Sequence, residues 1–240
     1  MSDISPVTAV EPRQVATGRG LDWITEGFAL FKLAPGTWIG ILLIWIVISG
    51  VLASINAEIV SSFINPIFQA GMMLGCLSRS KGEGLRVEHL FAGFRSGRVG
   101  QLLLMSVILI VLVIAAFAIA ALTVAGSLKG VWAGGAPDFQ QINPITVLLF
   151  ALVFVLLALP LTMLVWFAPA LIVFRQISAW EAMKLSLRGC LRNWLPFLLY
   201  GLVALVMLIV AAIPLLLGLL IAIPVLAASV YCSYRDVFPG

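Results

Sequence analysis

The chain has 240 residues, of which 62% are apolar and only 10% charged, and its mean hydropathy is +1.18. Soluble domains average about 45–50% apolar and about 25% charged residues, so 14 basic and 10 acidic side chains are too few to cover a water-soluble core of this size. A net charge of +4 does not point to nucleic acid, because the basic residues flank apolar runs and read as topology determinants and headgroup contacts.

Residues 1–19 include Asp3, Glu11 and scattered prolines and glycines, not the basic start and apolar run of a cleavable signal. They are expected to form a flexible cytoplasmic tail, followed by a single transmembrane domain over 20–238. Leu21, Ile24, Phe28 and Phe31 then fall at helical spacing and end on Lys32, a first amphipathic helix. Twenty-five uncharged residues separate Lys32 from Glu58, and 20 separate Glu58 from Arg79. A helix rising about 1.5 Å per residue crosses a hydrocarbon core of about 30 Å in roughly 20 residues, which predicts crossings over about 38–57 and 59–78.

The second crossing is the most polar. Glu58, Ser61, Ser62, Asn65 and Gln69 recur every three or four residues and share one helix face, with Pro66 in their midst. Polar groups at this depth face a bundle interior or a wet cavity. The face is therefore either a path for a polar or ionic solute, entered at Glu58, or interhelical hydrogen-bonding glue. On the same helix Gly71 and Gly75 form a GxxxG pair suited to close backbone approach in helix packing.

A second amphipathic stretch follows, with Val87, Leu90, Phe91 and Phe94 before Arg95. Thirty uncharged residues between Arg98 and Lys129 predict a third crossing over about 99–125. The connection 126–143 is short and glycine-rich, with Trp132 placed as an interfacial anchor. Thirty-six uncharged residues from Phe139 to Phe174 predict the fourth crossing, about 145–173. A third amphipathic stretch places Trp180, Met183, Leu187 and Leu191 on one face and ends on Arg192; Ser178 and Glu181 open it at capping-box spacing. The last uncharged run, Asn193 to Tyr234, has 42 residues and must cross twice, over about 194–213 and 216–234.

The predicted fold is thus an all-α, six-helix transmembrane bundle built from three hairpins, each preceded by a cytoplasmic amphipathic helix. The second helix of each hairpin carries a proline (Pro66, Pro160 and Pro224), and each is expected to kink. The amphipathic faces would lie in the acyl boundary, with Lys32, Arg95, Arg98, Arg175, Arg188 and Arg192 as candidate headgroup contacts. Six crossings place 13 of the 14 basic residues on one side and Lys129 alone on the other, so both termini are expected in the cytoplasm.

No catalytic constellation is legible. His89 is the one histidine, which removes His-based dyads, triads and an HExxH zinc motif, and neither a P-loop nor a GxSxG elbow is present. Cys76, Cys190 and Cys232 have no ligand-like spacing and read as small buried hydrophobes. No catalytic, cofactor or metal residue is assigned.

Several stretches carry a resemblance: GFALFKLAPGTW (Gly27 to Trp38), LFAGFR (Leu90 to Arg95), WFAPALIVF (Trp166 to Phe174), AMKLSLRGCLRNWLPFLLYG (Ala182 to Gly201) and YCSYRDVF (Tyr231 to Phe238). Together they look like an uncharacterised family of proteobacterial inner-membrane proteins. That family is in turn distantly similar to the membrane domain fused to some glycerophosphodiester phosphodiesterases. The resemblance implies a multi-pass location in a bacterial inner membrane and no transferable activity, since this chain has no room for a phosphodiesterase domain. The functional expectation is an accessory, assembly or envelope-homeostasis component without catalytic chemistry. The alternative is a small transporter or channel for a polar or lipid-derived solute, using the polar face of the second helix. Expected partners are the lipid bilayer and other inner-membrane proteins or a second copy, and no nucleic acid. A water-accessible cavity lined by Asn65 and Gln69 would separate the two readings.

Overall fold

The computed structural model describes residues 11–128 and 143–239, with side chains outside 123–128, and every described element is helical. Residues 1–10 and 129–142, including Lys129 and the expected anchor Trp132, lie outside the described residues. The elements are α1 (Arg19–Lys32), α2 (Pro35–Ser54), α3 (Glu58–Ser80), a 3₁₀ segment η1 (Val87–Arg95) and α4 (Val99–Leu128), then α5 (Pro144–Trp166), α6 (Ala168–Arg175), α7 (Ala179–Arg192), α8 (Trp194–Ala212) and α9 (Leu219–Val237). Six stretches are long and apolar enough to span: α2, α3, most of α4, α5 with α6, α8 and α9. The final apolar run divides at a tight turn around Pro214, where Leu215 and Leu216 adopt positive φ.

Lipid takes the place of water as solvent for the outer helices. Ile114 is 63% exposed, Leu156 66% and Leu198 63%, and such side chains recur around α2, α4, α5 and α8. An apolar surface this continuous belongs to a membrane contact. The inner helices α3, α6 and α9 are rich in buried residues, and α9 is the most enclosed span. Phe167 and Phe174 of the α5–α6 segment meet Tyr231, Tyr234 and Phe238 at the end of α9, with Phe167 and Phe238 ring centroids 5.3 Å apart.

Contacts between elements repeat three times. Segment η1 packs on α3, α7 packs on α5 and α6, and α1 packs on α9. Each amphipathic element also touches the outer helix of that same preceding hairpin: η1 on α2, α7 on α4, and α1 on α8. The first element therefore closes a ring on the third hairpin. With lipid as apolar as the helices, association depends on close fit at small residues, and the contact faces follow that rule. On α7 the buried side is Ala179, Ala182, Met183, Ser186, Gly189 and Cys190.

The faces expected in the acyl boundary divide between lipid and protein. Trp180 and Leu191 point outward, and only Met183 of the expected α7 set is buried. On α1, Leu21 and Phe28 are exposed, while Gly20, Trp23, Ile24, Gly27 and Phe31 turn inward. The second amphipathic stretch is not an α-helix: its buried positions, Leu90 and Gly93, follow the three-residue repeat of a 3₁₀ helix, leaving Phe91 and Phe94 exposed. Leu21, Phe28, Phe91, Phe94, Trp180 and Leu191 stay available to the acyl boundary, while small residues let the backbones dock and Trp23, Phe31, Leu90 and Met183 fill the contacts beside them.

Two further expectations change. The flexible tail was expected to reach residue 19, but Arg13 N donates to Val237 O at 2.7 Å and Val15 N to Asn193 Oδ1 at 2.8 Å. Residues 13–19 are thus fastened to the ends of α7 and α9. The fourth crossing is interrupted at Phe167, beyond Pro160, because Pro169 opens α6 and cannot continue the hydrogen-bond ladder of α5.

Candidate functional site

Ser62 Oγ, on the polar face of α3, donates to Glu58 O within the helix at 3.1 Å, and Glu58 sits exposed at the first turn. Asn65 and Gln69, one turn apart, line a cavity of about 180 Å³ between α2, α3 and α9. Its other walls are Trp38, Ile41, Leu42, Trp45, Phe68, Met72, Ile223, Pro224 and Ala227. Asn65 Oδ1 accepts from Trp45 Nε1 at 3.2 Å, so this amide bonds α3 to α2. Glu58, Ser61 and Ser62 do not reach the cavity. Of the three prolines, Pro224 lines it, whereas Pro66 and Pro160 lie within α3 and α5 outside it.

Gly71 and Gly75 do permit a close approach, but of η1 and not of another spanning helix. A Cβ on Gly71 would collide with the His89 and Leu90 carbonyls, and one on Gly75 would lie 2.8 Å from Leu85 Cδ1. His89 itself is committed locally: its Nδ1 accepts from Arg86 N at 2.9 Å.

All described charged side chains except Glu58 collect at the opposite end of the bundle. There Asp236 accepts from Arg19 Nε at 2.5 Å and from Trp23 Nε1 at 2.9 Å, while Glu26 accepts from Arg19 and Arg235. The hydrogen bond to Asp236 raises the Arg19 pKa further above its ordinary value. These pairs lock α1 to α9. Of the candidate headgroup contacts, Arg98 Nε donates to Gln176 Oε1, and Arg175 donates to Phe238 O and Pro239 O, both at 3.1 Å. Lys32 stacks its Nζ 5.0 Å above the Phe28 ring. Arg95, Arg188 and Arg192 are exposed on η1 and α7.

Two features were missed in the sequence. Ser186 of α7 is fully buried and fills the break after α5: its Oγ accepts from Phe167 N at 2.9 Å and donates to Met163 O at 2.6 Å. It thereby sits inside a hydrogen bond that a regular helix would make directly. The signal was the spacing of small residues along Ala179, Ala182, Ser186 and Gly189. The other is a basin of about 480 Å³ where α3, α6 and α9 end, lined by Ser80, Lys81, Arg175, Tyr231, Tyr234 and Arg235 beside Leu77, Phe174, Phe238 and Pro239. Its signal was that every inner helix ends in a basic residue.

Fold and site together define a polytopic α-helical membrane protein with a charged layer at one end. The chain is similar to a protein of Burkholderia thailandensis described as a probable inner membrane protein. The two are 27% identical over 252 residues, covering 95% of this chain and 92% of that protein. No family model and no solved structure matches the chain.

Proposed function

We propose that this chain is a bacterial inner-membrane protein with both termini in the cytoplasm, acting without catalytic chemistry as an accessory, assembly or envelope-homeostasis component. The location is supported by the Burkholderia relative, and the orientation by the basic residues gathered at the end where the described residues begin at Glu11 and finish at Pro239. The observation that carries the role is the cavity beside the polar face. Its walls are apolar apart from Asn65 and Gln69, and Asn65 is already bonded to Trp45. A lining with two amides, one of them already bonded across helices, favours interhelical glue over a hydrated path. A second reading, passage of a lipid-derived solute, draws support from Gln69, whose amide has no hydrogen-bond partner among the described residues.

The double variant Asn65→Leu with Gln69→Leu tests the choice. As glue, Asn65 contributes about 0.6–2 kcal/mol through its interhelical bond, so thermal stability in detergent falls while complementation of a deletion strain persists. Unchanged stability with lost complementation would sink the accessory reading in favour of transport.

A further inference from the structure

We propose that the basin at the charged end of α3, α6 and α9 binds a phosphate group, presented by a membrane lipid headgroup or by a soluble phosphate. Each inner helix contributes one cation to its wall: Lys81 follows α3, Arg175 ends α6 and Arg235 lies in the last turn of α9. No carboxylate lines it among the described residues. Ser80 and Tyr231 add hydroxyls, already 3.0 Å apart, and Tyr234 adds a third. At about 480 Å³ the basin falls within the range of about 300–1,000 Å³ typical of ligand pockets.

The cations are not all consumed by structure. Arg235 pairs with Glu26, and Arg175 caps the carbonyls beyond α9. Such capping answers the partial negative charge of about half a unit at a helix C-terminus. It does not account for Lys81, whose ammonium has no ion-pair or hydrogen-bond partner among the described residues. A phosphate accepts from ammonium, guanidinium and phenol alike. The rest of the lining separates the two sources of phosphate. Leu77, Phe174, Phe238 and Pro239 place apolar surface beside the charges, at the depth where spans meet headgroups, as a lipid requires and inorganic phosphate does not. The inference goes beyond the accessory role and does not depend on it.

The test uses the full chain in detergent, with phosphatidylglycerol, diacylglycerol of the same acyl chains and inorganic phosphate as probes. Native mass spectrometry reads lipid retention, and thermal shift reads inorganic phosphate. Lys81→Gln is the informative variant because it removes no described contact; Arg86→Gln and Lys184→Gln serve as basic-residue controls outside the basin. Wild type should retain phosphatidylglycerol over diacylglycerol, Lys81→Gln should weaken that retention about tenfold at unchanged melting temperature, and the controls should match wild type. Stabilisation by inorganic phosphate, lost in Lys81→Gln, without selective lipid retention would assign the site to a soluble phosphate and uphold the chemistry. Equal retention of both lipids with no phosphate response, or equal losses in Lys81→Gln and the controls, would overturn it.

Discussion

Ser186→Ala isolates one hydroxyl at the interruption of the fourth span. The side chain is fully buried, and its Oγ serves both Phe167 N and Met163 O. Removing it strands a donor and an acceptor where water does not reach, and each unsatisfied buried group costs about 1–3 kcal/mol. Cys190 Sγ lies 3.8 Å from Met163 O and offsets a small part of this. Direct bonding of Phe167 to Met163 would offset more, but it requires the break to close against the packing of α7. A net loss of about 2–4 kcal/mol follows. Ser106 supplies the control: it is equally buried, yet its hydroxyl only donates to Leu102 O in its own helix at 3.2 Å. Ser106→Ala frees a carbonyl that keeps its place in the helix, so its cost should be close to zero. Thermal unfolding of both variants in the same detergent measures the difference, and equal melting temperatures would refute the assignment of Ser186 as the group that completes the break.

Gly27→Ala should lower stability by about 1–3 kcal/mol, because the new Cβ would meet Val225 O at 2.6 Å and Ser229 N at 2.8 Å, whereas Gly201→Ala, with nothing within 4 Å, should be neutral or stabilising; melting temperatures of the pair check this. Burial pushes the Cys190 thiol up to about 12, so it stays protonated, and maleimide labelling of Cys190 in the folded protein should be absent from neutral to mildly alkaline pH and appear only on unfolding. Cysteines introduced at Ser2 and Gly135 of a cysteine-free variant should react with an impermeant reagent in intact cells at position 135 alone, and labelling at position 2 would reverse the proposed orientation.

Span number and helical class followed from the sequence because they depend on sums over many residues. Twenty consecutive uncharged side chains have no other low-energy place than hydrocarbon, and a backbone in hydrocarbon has to bond to itself. That logic placed all six spans within a few residues, including the division of the last run near Pro214. The threefold plan was also legible, since amphipathic stretch and hairpin recur along the chain. Which face of α1 or α7 turns inward was not legible. Burying Leu or Phe is a strong rule in water, but beside lipid a large apolar side chain is equally at home outside, and the choice passes to whichever small residues allow backbones to meet. Hence Gly27 and Ser186 dock while Phe28 and Leu191 face outward. Tertiary structure alone decided what the polar groups do. It brought Asn65 to Trp45 and Asp236 to Arg19, and it gathered Lys81, Arg175 and Arg235, far apart along the chain, around one basin. Those encounters depend on how three inner helices converge at one end of the bundle, a geometry that no local spacing encodes.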